Sequence, residues 1–171
     1  PVYVLRASDL MMSYNSGERE SVTLCGEIKN GEEFIGLGER FSGLVLNGKS
    51  YELWNKDCWS QGTDSYVNVP LMHSNKGYSI FFNSYYGATA DIGEEATGRY
   101  SFAFGGPDMD LYIWTGTPLE NFKSYANLTG TSTTIPEWAT GYWSGGTSDH
   151  YWYAKNERNE NGEVLYHSDL V

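Results

Sequence analysis

Histidine and cysteine are the side chains that most readily bind transition metals, and this sequence has three of the first and two of the second. His73, His150 and His167 share no metal-ligand spacing, which is typical of ordinary surface or turn histidines. Cys25 and Cys58 form no CxxC pattern, and either two reduced thiols or one disulfide would account for them. We therefore predict no metal site and no bound cofactor.

The carboxylates give a second set of candidates for chemistry. Asp108 and Asp110 flank Met109, but alternation along an extended chain does not by itself build a catalytic pocket. Asp57 follows the residues Trp-Asn-Lys at 54–56. A carboxylate accepts hydrogen bonds from two sugar hydroxyls at once, and such charge-assisted bonds are strong. A turn aspartate binding backbone N–H groups is the alternative reading of Asp57.

The charge balance excludes several classes of partner. The chain has 171 residues, with 11 Lys and Arg against 22 Asp and Glu, which gives a formal net charge of −11. This balance opposes binding to the phosphates of nucleic acids or of anionic membranes. No apolar run approaches the roughly 20 residues that cross a bilayer. We predict a soluble protein that binds neither nucleic acid nor membrane, with the cytoplasm as the favoured compartment.

The elements that must position any site are predicted to be mainly β. Aromatic residues make up 16% of the chain beside 20 glycines, a mixture that favours short strands and tight turns. Their spacing predicts an antiparallel β-sandwich, with a hairpin turn at Asn47-Gly48. The predicted strands cover residues 21–25, 33–35, 44–46, 51–54, 65–69, 71–73, 78–82, 89–92, 98–104, 110–114 and 139–143.

One helix is predicted from about residue 118 to 129. Thr117 at the N-cap and Glu120 at N3 form a capping box, Pro118 occupies N1, and Gly130 ends the helix. The residues expected to face the sheet recur at helical spacing: Leu119, Phe122 and Tyr125 or Ala126.

Several motifs follow one another in a fixed order along the chain. They are Phe-Ile-Gly-Leu-Gly-Glu-Arg at 34–40, Leu-Trp-Asn-Lys-Asp at 53–57, Val-Asn-Val-Pro at 67–70, Thr117-Pro118 with Tyr125 and Leu128-Thr-Gly130, and Pro-Glu-Trp-Ala-Thr-Gly at 136–141. In these motifs the sequence resembles glycoside hydrolase family 31. Residues 40–48, Arg-Phe-Ser-Gly-Leu-Val-Leu-Asn-Gly, are most similar to the α-xylosidase and bacterial α-glucosidase branch of that family. A single such motif would be weak, but the shared order is specific.

The resemblance implies that residues 1–134 form the N-terminal, galactose-mutarotase-like β-sandwich of that family. Residues 135–171 would be the linker and the first strand and loop of a truncated catalytic (β/α)8 barrel. Family members are retaining enzymes, which use two carboxyl groups about 5–5.5 Å apart. In the family both are aspartates on later barrel strands. We therefore expect the whole protein to hydrolyse terminal α-glucosidic or α-xylosidic bonds and this segment alone to be inactive.

The resemblance also implies the substrate contacts. Asp57 matches the aspartate of a sandwich loop that family members lend to the active site. Trp59 would stack on a sugar face or pack between domains, and Trp143 would form a wall of the pocket or part of the barrel core. Lys56 replaces the arginine usual in the family, which weakens any bidentate role there.

The implied partners are an α-linked oligosaccharide or glycoside substrate and the remainder of the catalytic barrel, with a homo-oligomer left open. Arg40 and Glu39 would form a structural pair at the base of the loop. The alternative function is a free-standing, non-catalytic carbohydrate-binding β-sandwich or a scaffold subunit. The motif at 136–141 favours the enzyme, because a free-standing binding module has no use for a segment that leads into a barrel.

Overall fold

The computed structural model describes residues 2–15, 17–56, 62–106, 108–142 and 160–162. The chain divides into two compact units, Pro1–Thr131 and Ser132–Val171. The described part of the second unit contains a short 3-10 helix at Glu137–Thr140.

The first unit opens with a 3-10 turn at Ala7–Asp9, and its described residues form nine strands and one helix. In chain order these are β1 Leu10–Asn15, β2 Glu18–Glu27, β3 Phe34–Gly36, β4 Ser50–Leu53, β5 Leu71–Ser74, β6 Tyr78–Phe82, β7 Ala88–Asp91, β8 Arg99–Phe104, β9 Leu111–Thr115 and α1 Pro118–Thr129.

The strands form two antiparallel sheets that share one core. The first sheet has the order β1-β2-β8-β7-β4 and the second has the order β3-β5-β6-β9. Large buried side chains from both sheets meet in one cluster: Leu24, Tyr51 and Phe102 from the first sheet, and Phe34, Ile80 and Phe82 from the second. The predicted mainly β, antiparallel sandwich is confirmed.

Strand β6 is buried along its whole length because both of its faces are covered. On one face Phe82 packs against Phe102 and Phe104 of the first sheet, with ring centroids 4.5 Å apart in each pair. On the other face Phe81 contacts Tyr125 of α1 at 5.0 Å. Each fully buried phenylalanine stabilises the fold by about 1.5–3 kcal/mol, so β6 is the central element of the core.

Helix α1 begins and ends as predicted. Thr117 Oγ1 accepts a hydrogen bond from Glu120 N, and Glu120 Oε2 accepts one from Thr117 N at 2.8 Å. Two of the otherwise unpaired N–H groups at the helix start are thereby satisfied. Gly130 ends the helix with a φ of 92°, which glycine adopts without strain.

The predicted buried face of α1 is wrong for two of its residues. Leu119 and Phe122 are 65% and 53% exposed, whereas Asn121 is only 2% exposed. Asn121 Nδ2 donates hydrogen bonds to Ser79 Oγ on β6, at 2.8 Å, and to the Gly116 carbonyl. This polar anchor turns the helix so that Asn121 and Tyr125, four residues apart, face the sheet.

The predicted hairpin around Asn47-Gly48 is also wrong. Residues 44–46 form no strand, and β4 pairs with β7. Leu46 N donates to the Phe34 carbonyl at 2.8 Å, and Asn47 Oδ1 accepts from Phe34 N at 2.9 Å. Because the Asn47 side chain satisfies a backbone donor of β3, the segment ends in a turn against β3 without building a ladder.

Two further predicted strands are absent from the described residues. Within 65–69, Ser65 Oγ accepts from Val67 N at 3.0 Å and donates to the Glu39 carbonyl at 2.6 Å, so side-chain bonds replace a ladder. Residues 137–140 of the second unit form a 3-10 turn where a strand from 139 was predicted. There Thr140 Oγ1 donates to the Glu137 carbonyl at 2.6 Å, which favours a tight turn.

Candidate functional site

The predicted sugar-contact residues lie outside the described residues: Asp57, Trp59 and Trp143. The structure does describe the chain on both sides of residues 57–61. We call these two flanks, residues 54–56 and 62–68, the loop root. The loop root determines where the chain carrying Asp57 leaves the sandwich and where it returns.

Arg40 connects the second flank of the loop root to β4, the strand that leads into the first flank. Its guanidinium donates hydrogen bonds to acceptors from three segments: the carbonyl oxygens of Leu37, Glu52 and Thr63, and Oδ1 of Asn68. The guanidinium also lies over the Tyr51 ring, with its Cζ 5.0 Å from the ring centroid. A planar, multi-donor guanidinium suits this role, because a single ammonium could not reach acceptors on separate segments. These contacts place Arg40 at the base of the loop, and its predicted pairing with Glu39 stays a prediction.

The Gly-Leu-Gly turn before Arg40 delivers it to this position. Leu37 is fully buried with a φ of 63°, and its N–H donates to the Leu71 carbonyl at 2.9 Å. A Cβ at Gly38, whose φ is +90°, would lie 2.1 Å from the Val67 carbonyl oxygen. Only glycine therefore allows this turn to approach residues 67–69, and the approach places Arg40 against the loop root.

Two asparagine side chains tie the loop root together. Asn55 Oδ1 accepts hydrogen bonds from both the backbone N and the side-chain Nδ2 of Asn68, each at 2.9 Å. Asn68 Oδ1 in turn accepts from Arg40. Because these bonds connect the chain before residue 57 to the chain after residue 61, they fix the distance between the two ends of the loop.

Lys56 joins the same two flanks at the surface. Its Nζ forms ion pairs with the carboxylates of Glu52 on β4 and, at 3.5 Å, of Asp64. The hydrogen bond to Glu52 raises the pKa of the Lys56 ammonium. Lys56 therefore acts as a positively charged link across the loop root in this chain.

The loop root borders a cleft of about 280 Å³. We call it the aromatic cleft, and its lining residues are Leu53, Trp54, Asn55, Asn68, Pro70, Ser84, Tyr85, Tyr86, Ala88 and Phe104. Trp54 is 56% exposed and Tyr85 is 88% exposed. The rings of Tyr85 and Tyr86 stack with centroids 4.9 Å apart, and a hydrogen bond with Tyr85 raises the pKa of the Tyr86 phenol. No motif in the sequence predicted this cleft.

Among the described residues, no group of three or more His, Cys, Asp or Glu side chains could hold a metal ion. The same part of the chain contains no helix long and apolar enough to span a membrane. The side chains that line the aromatic cleft offer hydrogen bonding by amides and contact with aromatic faces.

Comparison with known families decides what kind of domain this is. The family described as the glycosyl hydrolase 31 N-terminal galactose mutarotase-like domain matches residues 9–91. The chain carries a glycosyl hydrolase 31 N-terminal domain. The resemblance seen in the sequence motifs is thus confirmed, and in this family 31 domain the matched residues include Arg40, Asn55 and Asn68.

Curated relatives of this family 31 domain are glycosidases and related enzymes. It is 33% identical over 128 residues to an α-xylosidase of Emericella nidulans, covering 74% of this chain and 16% of the relative. It is 34% identical over 113 residues to the α-xylosidase XylQ of Lactiplantibacillus pentosus, covering 66% of this chain and 15% of the relative. The chain therefore spans about a sixth of the length of these relatives.

Solved structures agree with the fold of the family 31 domain. The Flavobacterium johnsoniae GH31 dextranase complexed with isomaltotriose is 28% identical, with a TM-score of 0.65 over 77% of this chain and 16% of that chain. The cycloalternan-degrading enzyme of Trueperella pyogenes in complex with isomaltose has a TM-score of 0.71 at 16% identity, covering 78% of this chain and 21% of that chain. At that identity the second likeness shows the fold alone.

Proposed function

We propose that this chain is the N-terminal sandwich of a retaining α-glycosidase that hydrolyses terminal α-glucosidic or α-xylosidic bonds. The loop at residues 57–61 would contribute to the substrate pocket, and a catalytic barrel would supply the two reacting carboxylates. In this proposal the sandwich covers residues 1–134, and residues 135–171 lead into the barrel. The partners are an α-linked glycoside and that barrel.

The observation that carries the proposal is the way Arg40, Asn55 and Asn68 fix both ends of the loop. Asp57 directly follows Lys56, which is paired to Glu52 on β4 and to Asp64 in the second flank. Because the two flanks are joined before a sugar binds, less interaction energy is spent on holding them in place. Asp57 would accept hydrogen bonds from two adjacent hydroxyls of the sugar.

Two tryptophans complete the proposed pocket. Trp59, in the same loop, would stack on the apolar face of the sugar ring, and Trp143 would form a wall of the pocket. Support for an α-linked sugar comes from the relatives, whose names include α-xylosidases and α-glucosidases.

The test is Asp57→Asn in the complete protein as its source makes it, assayed with aryl α-glucosides and aryl α-xylosides. Hydrogen bonds to a charged group contribute about 1.5–3 kcal/mol, so kcat/KM should fall by about 10- to 150-fold. Asp110→Asn is the matched control, because Asp110 is an exposed aspartate outside the loop root whose carboxylate accepts a hydrogen bond from Asn83. Wild-type kinetics for Asp57→Asn, or an equal loss for both variants, would contradict the proposed role of Asp57.

A further inference from the structure

We propose that the aromatic cleft binds one pyranose ring of a neutral α-linked sugar. Only the α-linkage rests on the function proposed above. The ring-binding property follows from the cleft itself, in which Trp54, Tyr85 and Tyr86 border one small depression. Large aromatic side chains exposed together on a soluble domain mark ligand or partner sites.

The aromatic faces are held in place by the surrounding backbone. A Cβ at Gly87 would lie 3.3 Å from the Trp54 ring, and a Cβ at Gly106 would lie 2.4 Å from the Tyr86 ring. The two rings therefore rest directly on glycine backbone, and Tyr85 stacks on Tyr86. Aromatic side chains that are fixed before a ligand arrives lose little conformational entropy on binding.

The polar groups beside these rings match the edge of a sugar. A pyranose ring presents C–H groups on its faces, which pack on aromatic rings, and hydroxyls around its edge, which need hydrogen-bond partners. Asn55, Asn68 and Ser84 provide amide and hydroxyl groups in the same cleft. Asn55 Oδ1 is bound by Asn68, and within the described residues no partner takes the Asn55 Nδ2 donors. Those donors can bind a sugar hydroxyl.

Charge and size narrow the class of ligand. The chain has a net charge of −11, yet every side chain that lines the cleft is uncharged. An uncharged lining favours a neutral ligand over a phosphate, a carboxylate or an ammonium group. Small-molecule sites usually measure about 300–1,000 Å³, and the cleft, at about 280 Å³, has room for a single ring. These properties fit one residue of a neutral oligosaccharide.

The test is a titration of the 171-residue chain, followed by ¹H–¹⁵N NMR, with methyl α-glucoside, methyl α-xyloside and isomaltotriose. The expected result is saturable shifts of the Asn55 and Asn68 side-chain amides and of the Tyr85 and Tyr86 backbone amides. Tyr85→Ala should weaken binding by about threefold to tenfold, the equivalent of an aromatic contact, and Tyr85 is exposed enough for the fold to tolerate the change. Tyr14→Ala is the matched control, since Tyr14 is an exposed tyrosine on β1 outside the cleft lining.

Three results would overturn the proposal. The first is that no amide shifts at the highest soluble sugar concentration. The second is that Tyr85→Ala and Tyr14→Ala weaken sugar binding equally. The third is that the amides of the cleft residues shift with protein concentration when no sugar is present. The last would mean that a second copy of the chain occupies the cleft. The titration does not depend on hydrolysis, so it can fail independently of the proposed function. If no sugar binds the cleft but Asp57→Asn still lowers kcat/KM, only the proposal for the cleft is wrong.

Discussion

Replacing Arg40 tests whether one side chain holds the loop root together. Arg40→Ala removes hydrogen bonds to the Leu37 and Thr63 carbonyls and to Asn68, all partly buried, and the contact with the Tyr51 ring. Each of the three bonds contributes about 0.5–1.5 kcal/mol, and a partly exposed cation–π contact adds about 0.5–1 kcal/mol. Summing these, we expect the free energy of unfolding to fall by about 2–5.5 kcal/mol.

Urea denaturation followed by tryptophan fluorescence measures this loss. With a slope of about 2 kcal/mol per molar urea, the midpoint should fall by about 1–3 M. Arg40→Lys should lose most of the same free energy, because an ammonium cannot serve acceptors on separate segments. Lys123→Ala, which removes an exposed cation on α1, is the control and should leave the midpoint unchanged. If the urea midpoint of Arg40→Ala falls no further than that of Lys123→Ala, Arg40 does not hold the loop root together.

Three further predictions concern the fold around the site. Thr117→Ala removes the N-cap of α1 and should cost about 1 kcal/mol in urea denaturation, and an unchanged midpoint would contradict the capping box. Gly38→Ala should prevent soluble folding, because its Cβ would overlap the backbone at residue 67, whereas Gly62→Ala meets no atom within 4 Å and should express normally. Burial raises the pKa of Tyr78 and Tyr100 above the ordinary 10.0, so the stability tied to their neutral phenols is present below pH 10 and lost as pH rises further. Denaturation midpoints at about pH 9 and pH 11 should therefore differ less in Tyr100→Phe than in the wild type, and equal differences would contradict this.

Local signals in the sequence predicted the elements that depend on neighbours in the chain. The bounds of α1 follow from Thr117, Pro118 and Gly130, each of which acts on the adjacent backbone. The alternation of Tyr100, Phe102 and Phe104 gives β8 its buried face. These features need no knowledge of distant residues, and for that reason they were predictable.

The predictions failed where hydrogen bonds from side chains to residues distant in the sequence determine the structure. The rotation of α1 depends on Asn121 meeting Ser79, which is 42 residues away in the chain. Residues 65–69 are not a strand because Ser65 binds the Glu39 carbonyl. Strand β1 was not predicted, since its Met-Met pair at 11–12 breaks the polar alternation. In these three places the hydrophobic pattern of the sequence predicted the wrong structure or none.

The candidate site likewise combines features that the sequence predicted with features that it did not. The motif at 34–40 predicted that Arg40 supports the loop, but its acceptors became known only from the fold. The aromatic cleft could not be predicted, because the Trp54 ring rests on Gly87 and the Tyr86 ring rests on Gly106, and each glycine is distant in the sequence from the ring that it supports. The sugar contacts of Asp57, Trp59 and Trp143 remain predictions.

The most direct test of the central claim is to purify the protein that carries this sequence from its source and measure its intact mass together with its α-glycosidase activity. We expect a species well above 19.2 kDa. Depleting that species with an antibody against this domain should remove the hydrolysis of α-glucosides or α-xylosides. A species of 19.2 kDa without hydrolytic activity would contradict this expectation and would favour the carbohydrate-binding or scaffold alternative.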